Sequence, residues 1–311
     1  MSTSESIAVP ETKKVTEEEA ALLADINSFS PPARQAFDEV LAAIQDLAVA
    51  QVEPLLRRVI HRVFERSMAE FFADEVATSI QLPAELVHYT VPHPDGIPLP
   101  RPDSEPDLTL AEALQTRRSH RNYAKRALSL DEVGAVLHMA LASNATEDGY
   151  GTRNIPQMPY PNIGGLDPVE IGFIAHAVDG LEPGYYRYDK VGHALVLVSL
   201  GDYRMPLINA TFENDWIFYA PAVLVISNDQ RKVSWKYKTR GYRIAGIDLG
   251  AALQNIYLAC TAYHLSCCAV AGYHDERINH LLRYPSGDIS VGCLVPIGAR
   301  PAPRGVQPNG Q

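Results

Sequence analysis

An α+β fold, with a mixed sheet of about four or five strands flanked by helices, is the class that the sequence predicts. Three observations predict it. After residue 168, short alternating or apolar runs that read as strands are interleaved with runs of helical periodicity. One helical run, 247–265, is apolar on most sides (Leu249, Leu253, Ile256, Leu258, Ala259) and is expected to be central and buried. A stretch with seven prolines, 83–106, separates all of this from an N-terminal helical extension.

At 311 residues the chain can bury a sizeable core, and 46% hydrophobic with 21% charged residues is an ordinary globular balance. The net charge of −10 argues against general nucleic-acid binding, so any functional cations must act locally. The polar start, 1–15, has no apolar segment of a signal peptide, and no run approaches a membrane span. Cys260, Cys267, Cys268 and Cys293 lack C-x-x-C spacing and read as core thiols. The expectation is a cytoplasmic protein without a membrane partner.

In chain order, 16–80 reads as helical. Ser30-Pro31 is a start signal, and Phe37, Val40, Leu41, Ile44 and Leu47 form one apolar face. Leu55, Val59, Val63 and Phe71 continue a similar stripe, which suits either a docked partner or a covered dimer surface. The proline-rich 83–106 is expected to be an extended linker, giving three parts: 1–82, 83–106 and 107–311.

Thr109 caps a short helix that runs into Arg117-Arg118-Ser119-His120-Arg121. Arginines around a serine at a helix end suit a phosphate, since guanidinium forks bind it bidentately and the hydroxyl adds a donor. The same residues also fit a solvated basic helix end. Ser129 with Glu132 is a capping box opening a helix that carries Val133, Val136, Leu137 and Ala140. Residues 143–168 read as a Gly- and Pro-rich loop, and Val169, Ile171, Phe173 and Ala175 alternate as a strand. A hairpin joins 185–188 to 194–198 through a turn at 189–192. Further strands are expected at 222–226, 267–271 and 291–297, with a helix at 275–282.

The stretch Trp235 to Arg243 gathers two lysines, two arginines, two tyrosines and a tryptophan in nine residues. That composition suits a cleft gripping something flat and anionic, and it also suits a basic surface loop. G-x-G-x-x-G, Walker A, G-x-S-x-G and H-E-x-x-H are all absent, which argues against a Rossmann site, a P-loop, an α/β-hydrolase and a zincin.

Over roughly 107–300 the ordered set of these pieces resembles the nitroreductase-fold flavoproteins, and within them the azoline oxidases of thiazole/oxazole-modified peptide pathways. The resemblance rests on Arg117 to Arg121, Leu128 to Glu132, Gly184 to Asp189, Lys236-Tyr237 with Arg240 to Arg243, and Gly250 to Leu258, all in the family's order. It implies FMN as cofactor, with Arg117, Arg118 and Ser119 at its phosphate and Arg300 completing that site. Arg121 would lie by the pyrimidine side of the ring, Gly272 in a loop close to the flavin, and Asn162 would donate to flavin or ribityl oxygens. Lys236 and Tyr237 match the branch's catalytic Lys-Tyr pair. The loop at 161–168 departs from its relatives, with Asn162 for Ser and Asp167 for Tyr, which is expected to reshape the substrate side.

The function so implied is dehydrogenation of a thiazoline or oxazoline in a peptide or carrier-bound substrate. Lys236, with a pKa depressed by Lys238 and Arg240, would be the base, and Tyr237 would position or polarise the ring. The expected assembly is a homodimer in which the partner supplies the 143–168 loop, with a cyclodehydratase or synthetase delivering substrate. Two other functions fit the same fold: an NAD(P)H-driven nitro or quinone reductase, and a non-catalytic scaffold of a biosynthetic complex. No metal is expected.

Overall fold

Apolar residues at both alternate positions of the central strands demand cover on both faces of the sheet, and helices supply it. The computed structural model describes residues 81–302 except 213 and 285–287, together with Arg57. The helices expected in 16–80 and the tail from 303 lie outside the described residues.

The strands are β1 (Ile97–Pro98), β2 (Ala145–Gly149), β3 (Thr152–Gln157), β4 (Val169–Ala175), β5 (Gly184–Asp189), β6 (Ala194–Leu200), β7 (Ala222–Asp229), β8 (Leu265–Cys267) and β9 (Ile289–Ala299). Seven of them form one sheet in the order β1-β6-β5-β4-β7-β9-β8, while β2 and β3 make a separate hairpin. Every pairing between these strands is antiparallel, so the expectation of a mixed sheet of four or five strands is corrected. The α+β class itself holds. The additional edge strand β1 is two residues long, too short to carry a periodicity, and the strand expected at 267–271 lies earlier, at Leu265–Cys267.

The helices are α1 (Leu110–Thr116), α2 (Leu130–Leu141), α3 (Arg204–Ala210), α4 (Arg231–Tyr237), α5 (Gly241–Ala262) and α6 (Asp275–Leu282). Capping boxes open α1 at Thr109/Glu112 and α2 at Ser129/Glu132. On one face of the sheet, Ile171, Phe173, Leu224 and Val295 pack with Val136 and Leu137 of α2 and Ala252 and Ile256 of α5. On the other, Ile174, Val223, Val225 and Leu294 pack with Leu207 of α3 and Ile278 and Leu282 of α6. The helix α5 begins six residues earlier than expected and is not buried all round: Tyr242 and Ile247 are 58% and 54% exposed.

The proline-rich segment is laid on this fold. Its Ala84–Thr90 is a 3₁₀ helix, Ile97 pairs with Leu195, and Leu99 N–H donates to His193 O at 3.0 Å. Where it crosses α2, a Cβ at Gly134 would collide with the Pro100 carbonyl oxygen, so glycine is required. Under the 160–170 loop lies a buried ionic network. Lys190, in the β5–β6 turn, donates to Asp167, to Tyr160 Oη (3.3 Å) and to Val169 O (2.5 Å). Lys232 on α4 pairs with Glu170 at 2.5 Å and reaches Asp167 O at 3.4 Å. Asp167 is 3% exposed, so it is turned into the fold toward Lys190.

Asp248, on α5, is fully buried and accepts Ile163 N–H at 3.2 Å on each carboxylate oxygen. Burial first, and then the Asp167 charge, push its pKa up to about 6, against the lowering effect of that N–H. A carboxyl raised on folding withdraws stability as pH rises from its unfolded value through 6. Denaturant unfolding should therefore show Asp248→Asn gaining about 1–3 kcal/mol relative to wild type between pH 4 and pH 7. A pH-independent difference would contradict this account of Asp248.

Candidate active site

Lys236 and Tyr237 end α4, and the chain then breaks through a 3₁₀ turn, Lys238–Arg240, before α5. Lys238 makes the break, with φ 51°. The stretch 235–243, open between cleft and surface loop in sequence, is thus two helix ends meeting at a corner. Lys236 Nζ donates to Tyr150 Oη at 2.6 Å and lies 4.5 Å from the Tyr150 ring centre and 4.9 Å from that of Tyr237. Tyr150 Oη in turn donates to Gly164 O at 2.6 Å. Gly164 has φ 73°, and a Cβ there would stand 2.5 Å from Tyr237 Oη, so the loop must be glycine at this point.

A cavity of about 320 Å³ adjoins this cluster, lined by Glu147, Asp148, Tyr150, Gln157, Asn162 and Gly164 among others. Asn162 faces it, while its Oδ1 accepts Asp167 N–H at 3.3 Å. Burial lowers the pKa of Lys236, but hydrogen bonds and charge from Tyr150 and Tyr237 outweigh it, and the net shift is upward. This corrects the expected depression by Lys238 and Arg240: the resting lysine is an ammonium held between two tyrosines.

A second cluster forms where α1 ends. Arg117 lies over the Tyr257 ring, 5.3 Å from its centre, and Ser119 Oγ is 3.2 Å from Tyr257 Oη, which also accepts Ala269 N–H at 2.8 Å. His120 N–H donates to Cys267 O, and Arg300 Nη2 to Leu265 O at 3.2 Å. Arg300 Nε is buried with no partner. The pKa of His120 is lowered by burial and then by the charges of Arg300 and Arg118, so this corner is electropositive. Cys260, Cys267, Cys268 and Cys293 are free and buried.

The structure sets Arg117 and Ser119 on Tyr257, and Arg300 near His120, the residue after Ser119. Arg118 instead folds back on the carbonyls of Gln115 (2.9 Å) and Arg117 (2.8 Å). Arg121 lies over Trp216, 5.8 Å from a ring centre, in a separate cavity of about 660 Å³. Gly272 is exposed, with only Phe212 near where a Cβ would stand. Tyr237 precedes α5 while Tyr257 sits near its other end, so the two clusters are separated by about 24 Å of helix, at 1.5 Å per residue. Sequence reasoning missed Tyr150, Tyr257 and Asp248. For Tyr150 a signal existed in Gly149-Tyr150-Gly151, glycines flanking a residue at a hairpin turn.

Among the described residues, no group of His, Cys, Asp and Glu is placed to hold a metal, and no helix is long and apolar enough to cross a membrane. A model of the nitroreductase family matches residues 114–299. A Methanocaldococcus jannaschii protein described as a nitroreductase is 28% identical over 206 residues, covering 66% of this chain and 98% of that one. The trifolitoxin operon protein TfxC of Rhizobium leguminosarum bv. trifolii is 23% identical over 192 residues, covering 58% of this chain. The match spans about half of TfxC, 53% of its length. Among solved structures, a chain of the E. coli microcin synthetase McbBCD complex with truncated pro-MccB17 bound shares the fold. Its TM-score is 0.51 at 19% identity, covering 90% of this chain and 98% of that one.

Proposed function

The chain belongs to the nitroreductase family of oxidoreductases, and from that premise we propose that it is an FMN-dependent azoline oxidase. Its substrate would be a thiazoline or oxazoline ring in a peptide or carrier-bound intermediate, and its product the aromatic azole. The observation that carries the reading is Lys236 with Tyr237, set at a helix corner beside a cavity. The two relatives named for a trifolitoxin operon and a microcin synthetase support a place in peptide modification, beside a cyclodehydratase or synthetase.

The residues at the end of α1 fit the cofactor's phosphate. The buried, unpartnered Arg300 Nε is a donor awaiting an acceptor, and Arg117 and Ser119 stand at the same corner. Arg118 and Arg121 would add positive potential, Arg121 toward the pyrimidine side, and Gly272 would allow close approach. Bound FMN supplies the hydride acceptor. Lys236 removes the proton from the ring carbon that bears the peptide carbonyl, and Tyr237 orients the heterocycle. Because resting Lys236 is an ammonium, it must first lose a proton, so turnover rises with pH along a limb set by its raised pKa.

A single chain holds the two clusters at opposite ends of α5, so both can serve one flavin only if a second copy supplies one of them. The face of α5 bearing Tyr242, Gly246, Ile247 and Gly250 is exposed, with open space at both glycines. A homodimer across that face would bring the partner's Asn162 loop to the flavin. Arg117→Ala is expected to lower FMN retention by roughly 1.5–3 kcal/mol, read by dialysis against free flavin. Unchanged retention would remove Arg117 from the phosphate site. Mass spectrometry of a thiazoline peptide incubated with the protein tests the activity, and loss of two hydrogens per ring is expected. The Methanocaldococcus jannaschii relative favours a second reading, an NAD(P)H-driven reductase, which the same sample tests with a nitroarene.

A further inference from the structure

We infer that Tyr150 is a positioning residue for Lys236: its hydroxyl and ring hold the lysine nitrogen against the loop that carries Gly164. This rests on the reading of Lys236 as the base of the proposed reaction.

The hairpin β2–β3 is built to place this one side chain. Tyr150 sits between two glycines at the turn, with φ 51°, in the left-handed region that disfavours an ordinary side chain. Its backbone is pinned by Leu82 N–H donating to Tyr150 O at 2.9 Å. Its ring meets Trp235 edge-on, 5.5 Å between centres and 89° between planes, and Trp235 is fixed by Nε1–H to Lys232 O at 2.9 Å. A phenol has one proton to donate, and Gly164 O takes it. Toward Lys236 the hydroxyl can therefore only accept, at 2.6 Å, which selects the N–H-rich ammonium and fixes its direction. The ring face, 4.5 Å from Nζ, adds a cation–π contact.

The groups acting on Lys236 come from two elements, the β2–β3 hairpin and its own helix. Tyr150 faces it from the hairpin, Tyr237 from its own helix, and Glu147 and Asp148 line the cavity that Tyr150 also lines. Lys238 and Arg240 follow it in the chain. Among these, Tyr150 ties Lys236 to a different part of the fold, 86 residues away in sequence. A purely structural tyrosine would serve as well without its hydroxyl, since the ring makes the Trp235 contact.

Tyr150→Phe, in the full-length protein, separates the two roles. Competitive labelling with acetic anhydride across pH, read by peptide mass spectrometry, gives the titration midpoint of Lys236 with Lys125 as an internal reference. The expected result is a lower Lys236 midpoint in the variant, each unit raising its labelling about tenfold at a fixed pH, with Lys125 unmoved. In turnover, the pH limb should move down by the same amount. A Lys236 midpoint equal in both proteins overturns the inference, whatever happens to the rate. A shifted midpoint in a protein that never oxidises azolines keeps Tyr150 as the holder of Lys236 and removes the proposed reaction instead. Tyr150→Leu, which deletes ring and hydroxyl together, should lower the midpoint at least as far, and no shift there contradicts the inference too.

Discussion

Lys236→Ala is expected to retain FMN and lose about 10²–10⁴-fold in azoline turnover, the usual cost of deleting a general base. The proposed phosphate site at the end of α1 lies toward the far end of α5 from Lys236 within one chain, so cofactor content should survive. Tyr237→Phe should cost less where the ring alone orients substrate, and comparably where the hydroxyl polarises it. Its hydroxyl packs on Gly164, so Gly164→Ala should displace it and reproduce part of the loss. The check is turnover per bound flavin, which removes any difference in loading. Full azole formation by a flavin-replete Lys236→Ala protein would take the lysine out of the mechanism.

The second large effect concerns stability. Lys190 is 9% exposed and Asp167 4% by side chain, so Lys190→Met leaves a carboxylate buried without its cation. Breaking such a pair from one side typically costs 3–5 kcal/mol, roughly, because the remaining charge has neither water nor partner. Tyr160 Oη donates to Asp167 at 2.7 Å and would offset part of this. A denaturant midpoint for Lys190→Met close to wild type would contradict this account of the pair. Pairing it with Asp167→Leu should recover much of the loss, since both charges are then gone.

Local signals in the sequence were legible where the physics is local. The capping boxes at Thr109 and Ser129 and the helix Asp275–Leu282 lie where spacing places them. So does the hairpin through Asp189. The segment 143–168 reads as a loop because Thr146, Glu147 and Asp148 are exposed and lack an apolar face, yet Ala145–Gly149 and Thr152–Gln157 within it pair as a hairpin. Arg117, Ser119 and Arg300 could be grouped only by resemblance; in the fold Arg117 and Ser119 meet Tyr257, and Arg300 lies near His120. The direction of the Lys236 shift was not legible. Its chain neighbours are cations, which favour depression, but tyrosines dominate, one of them delivered by a hairpin 86 residues earlier. The burial of Asp167 was not legible for the same reason, since its partner Lys190 comes from a turn that the sequence marks as solvent-facing.

Anaerobic titration of the protein loaded with FMN decides whether azoline rings or nicotinamides are the electron source. A thiazoline peptide is expected to bleach the flavin absorbance one ring per flavin, without NAD(P)H, and the peptide recovered to have lost two hydrogens. Rapid bleaching by NAD(P)H alone, with no response to the azoline, would contradict this expectation and make the protein a reductase.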